Sequence, residues 1–185
     1  HELTHQRVFV DGDTTFNESL ATAVEQAGTE MWLSQQRRYA ELAAYSRWQA
    51  YRAEVIALIL ATRARLAQLY ASELDEDTMR RRKARQFDAA RSGHEAIAAR
   101  HGIANGVKAW FAGELNNARF GSIAAYTSRV AAFLNMLDHQ AGDFAGFYRY
   151  VERVAALPRE QREPCLDAWE NDATNAAAAC PTGGA

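Results

Sequence analysis

Only three prolines and eleven glycines interrupt these 185 residues, so the chain is free to run in long, unbroken elements. What fills those stretches has a helical period. Between Glu30 and Ala71 the apolar positions Leu42, Tyr45, Trp48, Tyr51, Val55, Ile59, Leu66 and Leu69 recur at steps of three, four or seven, which puts them on one helix face. The spacing predicts a single helix over residues 30–71 as the spine of the fold. Shorter helices are expected over 16–26, with Gly28 as a stop or kink, and over 75–102, opened by Asp75-Glu76-Asp77 where the helix dipole favours acid. Further helices are expected over 122–137, 144–156 and 159–170. Residues 107–120 carry no clear period, and no segment alternates as a strand would. The fold class read from this pattern is all-α, a bundle of long helices. With 48% hydrophobic residues the chain can build one sizeable core, so residues 1–170 read as a single helical domain and 171–185 as a flexible tail.

Charge narrows the partners. Twenty-one basic against twenty-three acidic side chains give a net of −2, which offers no electrostatic case for nucleic acid or for an anionic membrane. The one basic run, Arg80-Arg81-Arg82-Lys83 with Arg85, follows three acids and reads as a solvated, salt-bridged helix face rather than a phosphate site. No stretch of about 18 apolar residues exists to span a bilayer, so no membrane contact is expected from this segment. Cys165 and Cys180 could pair in an oxidising compartment or stand as two thiols, and the thiol reading is the simpler one.

The chemistry lies at the start. His1-Glu2-Leu3-Thr4-His5 is the H-E-x-x-H arrangement, and residues four apart share a helix face, so both imidazoles can bind one Zn²⁺ at about 2.0–2.1 Å. Glu2, about 100° round the helix, is placed to take a proton from water without ligating the ion. A catalytic zinc needs a third protein ligand and an open position. Glu18 can supply that ligand, because Val8-Phe9-Val10 steps into an Asp11-Gly12-Asp13 turn and the next helix carries Glu18 near its start. Thr15 and Glu18 also fit a capping box, which is the competing use of Glu18. Among the remaining histidines, His94 and His101 lie seven apart and read as a solvent-facing pair without a third ligand in register. His139, at a helix end beside Asp138, reads as a dipole-favoured cap. Tyr126 and Asn116/Asn117 are the candidates for polarising a substrate carbonyl. Their competing uses are a core tyrosine and a helix cap.

These residues carry a resemblance. His-Glu-Leu-Thr-His-Gln-Arg-Val-Phe-Val, then Asp13-Thr14 and Phe16-Asn17-Glu18-Ser19-Leu20-Ala21-Thr22-Ala23-Val24-Glu25 with Gly28, resembles the bacterial aminopeptidase family of predicted zinc enzymes. Leu115-Asn116-Asn117-Ala118, Tyr126, Gly142-Asp143-Phe144 and Phe147-Tyr148 extend the similarity over most of residues 1–160. The resemblance implies one Zn²⁺, a peptide substrate and a bacterial periplasmic location. Family members are usually longer and often begin with an export or lipoprotein signal. A chain opening on His1 therefore reads as the C-terminal, metal-binding part of such a protein, with any lipid anchor upstream. More distantly, the two-helix arrangement is similar to thermolysin-like peptidases, whose third ligand is a glutamate on the following helix. Here the gap from His5 to Glu18 is shorter, and Thr22 stands where those enzymes carry an aspartate, which leaves Glu25 or Asn17 to orient the histidines. The alternative function class is a non-catalytic helical interaction or scaffold domain with an incomplete or decayed metal site.

Overall fold

The computed structural model describes residues 1–171 and 173–180, and for residues 124–126 and 173 the backbone only. Among the described residues the chain forms ten α-helices and no strand, the all-α class expected from its periodicity. In chain order these are α1 (Glu2–Arg7), α2 (Thr14–Gln35), α3 (Tyr39–Tyr70), α4 (Glu76–His101), α5 (Lys108–Ala112), α6 (Asn117–Thr127), α7 (Val130–His139), α8 (Phe144–Ala155), α9 (Arg159–Asn171) and α10 (Ala173–Ala179).

Several boundaries correct the sequence reading. The expected spine over 30–71 is two helices. Gly28 lies inside α2 without stopping it, and the break falls at 36–38, where Arg37 takes a φ of 55°. A glycine alone costs a helix only about 1 kcal/mol relative to alanine, too little to end it when both flanks pack. Glu18 is not in a capping box, because the cap belongs to Asp13, whose Oδ1 accepts the Phe16 amide at 3.0 Å. Beyond Asn171, where a frayed end was expected, α10 packs on α9. Cys180 behind it is disulfide-bonded to Cys165, so the two-thiol reading gives way to a bridge. Residues 181–185 lie outside the described residues.

The described chain divides into two compact units, residues 1–32 with 125–185 and residues 33–124. The first has a core of Phe16, Leu20, Phe133, Met136, Phe147, Val151 and Trp169, with α7 and α10 both packed on α9. A buried ion pair crosses it: Arg162, 5% exposed, donates to Asp13 Oδ2 at 2.9 Å and to the Leu157 carbonyl at 2.7 Å. Asp13 thus caps α2 with one oxygen and neutralises a buried guanidinium with the other. Such a pair is costly to break from either side, because one buried charge is left uncompensated.

The second unit is built on the α3–α4 pair, whose buried Tyr51, Val55, Ile59, Leu66, Phe87, Ala90 and Ile97 face Phe111 and Phe120. Helix α4 starts on Asp75, which accepts the Thr78 amide at 2.9 Å, and ends on Gly102 in the left-handed region at φ 65°. His94 and His101, expected to face solvent, are both engaged. His94 is 3% exposed, stacks on Phe111, and its Nε2 lies 2.8 Å from the Tyr51 hydroxyl. His101 Nε2 lies 2.8 Å from Glu54. Their seven-residue spacing does put them on one face, but that face is the one α3 covers.

Candidate metal centre

Between α1 and α2 the chain reverses in six residues. Gly12 supplies the turn with a φ of 74°, a conformation that side-chain-bearing residues seldom adopt. Asn17 then ties the loop down: its Oδ1 accepts the Val10 amide and its Nδ2 donates to the Val10 carbonyl, both at 2.8 Å. With Asp13 as cap, the first turn of α2 is held against the segment that follows α1. The outer side of α1 is anchored as well. Thr4, 2% exposed, lies 3.4 Å from the Tyr148 hydroxyl, and Arg7 sits 4.2 Å over the Tyr148 ring while reaching Glu152 at 3.3 Å.

The reversal brings three side chains to one point. His1 Nε2 is 3.3 Å from Glu18 Oε2, His5 Nε2 is 3.7 Å from Glu18 Oε1, and the ligand atoms of the three residues lie within 4.8 Å of one another. Four ligands at about 2.0–2.1 Å in a tetrahedron stand about 3.3 Å apart, so this donor set matches zinc in type and needs only small side-chain adjustments to match it in spacing. The imidazoles meet edge to face with centroids 5.0 Å apart. Side-chain exposures of 31% for His1, 20% for His5 and 21% for Glu18 leave the cluster open to solvent on one side.

Beyond the three, Glu25 lies two helical turns after Glu18 on the same face of α2, and its Oε2 is 3.3 Å from His1 Nδ1. A carboxylate accepting the Nδ1 proton leaves the Nε2 lone pair directed at Glu18 and at anything bound beside it. Among the described residues His5 has no counterpart, since its Nδ1 is buried without a hydrogen-bond partner there. Glu2 is exposed as the first residue of α1, and Thr22 is half-buried one turn after Glu18.

Other residues named from the sequence are used elsewhere. Asn17 is not a partner of the histidines, because both ends of its amide are spent on Val10. Asn116 caps α6 by accepting the Arg119 amide at 3.0 Å, and Asn117 accepts the Tyr70 hydroxyl at 3.0 Å, both inside the second unit. The Tyr126 side chain lies outside the described residues. Sequence reasoning missed Arg162 altogether, and it named Asp13 only as a turn residue and Tyr148 only within the resemblance, though all three hold the two helices in place. Only Asp13 left a local signal, a carboxylate three residues before Phe16.

The family model described as Putative aminopeptidase matches residues 1–166. No curated protein and no solved structure matches the chain.

Proposed function

The chain belongs to the Putative aminopeptidase family, and on that premise we infer that it is a zinc-dependent peptidase with its metal held by His1, His5 and Glu18. The observation that carries the reading is the convergence of the three ligand atoms within 4.8 Å, on helices tied together by Asn17 and Asp13. A Zn²⁺ bound there would act as a Lewis acid on water and on a peptide carbonyl.

The protein's own residues supply the rest. Glu25 accepts a hydrogen bond from His1 Nδ1–H and so fixes the tautomer, which raises the basicity of Nε2. Glu2 is not needed as a ligand and stays exposed, so its carboxylate is free to accept a proton from the attacking water and return it to the leaving amine. With Glu2, Glu18 and Glu25 around two imidazoles, the site is acidic, which favours the protonated end of a peptide over its carboxylate end and fits an aminopeptidase. The Cys165–Cys180 bridge supports an oxidising location such as the bacterial periplasm. No described helix is long and apolar enough to cross a membrane.

The test is metal content joined to turnover. Elemental analysis after dialysis is expected to give one zinc per chain for the natural sequence and a large loss for Glu18→Ala, which removes one of three protein ligands. Peptides with a free amine are expected to be cleaved and their N-acetylated counterparts spared. A chain that binds no zinc, or a Glu18→Ala variant that keeps full zinc and activity, would overturn the assignment in favour of a non-catalytic helical domain.

A further inference from the structure

The basic run on α4 divides in two once α3 is packed beside it. Arg80 pairs with Glu76 and lies 3.7 Å from Asp77, Arg81 donates to Thr78 at 2.8 Å, and Lys83 sits 5.9 Å over the Phe87 ring. Arg82 and Arg85 do neither. Their side chains line an open, solvent-exposed cleft of about 590 Å³ between α3 and α4, whose far wall is Arg65 with Gln68 and Ser72. Among the described residues none of these three guanidiniums has a carboxylate within ion-pair distance. Arg65 is nonetheless oriented by neutral partners: its Nε donates to Gln86 Oε1 and its Nη2 to Thr62 Oγ1, each at 3.0 Å.

Neutral acceptors thus fix the guanidinium without cancelling its charge. Three like charges around one cleft repel each other, and the repulsion is relieved by an anion that accepts from several of them at once. Arginine forks match phosphate oxygens in geometry, and Gln68, Ser72 and Gln86 add neutral polar groups around the same space. The geometry points to a phosphate-binding site in this cleft, taking a phosphate monoester or the phosphodiester of a lipid headgroup, with Arg65 as the preorganised anchor and Arg82 and Arg85 closing on the opposite side. This site is independent of the metal cluster and of any peptidase activity.

Two double variants of equal charge separate a site from a generally basic helix. Arg82→Gln/Arg85→Gln removes the cleft pair, and Arg80→Gln/Arg81→Gln removes two neighbouring charges that point elsewhere. Inorganic phosphate is titrated calorimetrically at low ionic strength. Sedimentation with phosphatidylcholine vesicles, with and without phosphatidylglycerol, tests the lipid source, and circular dichroism checks that each variant is folded. Saturable binding in either arm should weaken at least about tenfold in Arg82→Gln/Arg85→Gln and in Arg65→Gln, as expected for losing charge-assisted hydrogen bonds. It should be unchanged in Arg80→Gln/Arg81→Gln. The arm that binds identifies the source of the phosphate. Equal weakening in both double variants, or no saturable binding in either arm, overturns the proposal.

Discussion

His1 and His5 turn their Nε2 atoms toward the same carboxylate at 3.3 and 3.7 Å and keep 31% and 20% of their side-chain surface in water. His94, 3% exposed, stacks on Phe111 and meets a tyrosine hydroxyl at 2.8 Å. The difference shows what separates a candidate ligand from a packing histidine. The first pair sits on a short helix with carboxylates on both sides and solvent in front, so charge gathers there and water has access. The second is closed in by aromatic rings, where burial favours the neutral imidazole and holds its pKa below the ordinary histidine value, only partly opposed by Glu95. Tyr51 completes that network by accepting the Val107 amide at 3.0 Å, and a Cβ at Gly106 would collide with its hydroxyl.

The sharpest way to test the contrast is to remove the proposed proton transfer at one cluster alone. On the proposed zinc peptidase reading, Glu2→Gln should lower turnover by about 10²–10⁴-fold, the usual worth of a general base, while zinc content stays at that of the natural chain. Parallel loss of zinc and rate would make Glu2 a ligand instead.

At the other cluster the expected loss is in stability and not in zinc. Tyr51→Phe leaves the buried His94 Nε2 and the half-buried Val107 amide without their partner, at a cost of about 1–3 kcal/mol read from denaturant unfolding. The pH dependence follows from the sign of the His94 shift. Its folded pKa is depressed, so between the folded and unfolded values the unfolded chain binds the extra proton. The contribution is therefore fully present above about pH 6.5, the unfolded histidine value, and is lost as pH falls through the folded one. Unfolding midpoints measured from pH 8 to pH 5 should fall toward acid, less steeply in His94→Asn. An identical slope in both proteins would contradict the assignment.

Smaller effects refine each side. Glu25→Gln keeps a hydrogen-bond acceptor for His1 but loses the charge, and zinc affinity should drop about 10-fold to 100-fold with His1, His5 and Glu18 all still present. Chelator competition measures it, and an unchanged affinity would show that the Glu25 contact does not orient His1. Gly28→Ala should stabilise by about 0.5–1 kcal/mol, since Gly28 is inside α2 and a Cβ there meets nothing within 4 Å. Calorimetric melting that shows destabilisation would mean α2 is not continuous through residue 28.

Much of the candidate site was readable from residue order because its geometry is local. His1 and His5 share a face by helical spacing alone, and thirteen residues with a glycine turn are enough to bring Glu18 back to them. Glu25 was one of two candidates for orienting a histidine, seven residues from Glu18. What removed Asn17 was the Val10 backbone, a contact that spacing does not announce.

The sequence by itself determined the helical class, the ends of α4 and the common face of the two imidazoles, because periodicity, caps and i,i+4 spacing act over a few residues. The tertiary structure decided the rest. It broke the expected spine at 36–38, buried His94 against α3, joined Cys165 to Cys180, and sent Arg82 and Arg85 toward Arg65 while Arg80 and Arg81 turned to their own helix start. Each of those outcomes depends on which element packs alongside. Burial and charge pairing are properties of two surfaces in contact, and neighbours along the chain specify only one of them.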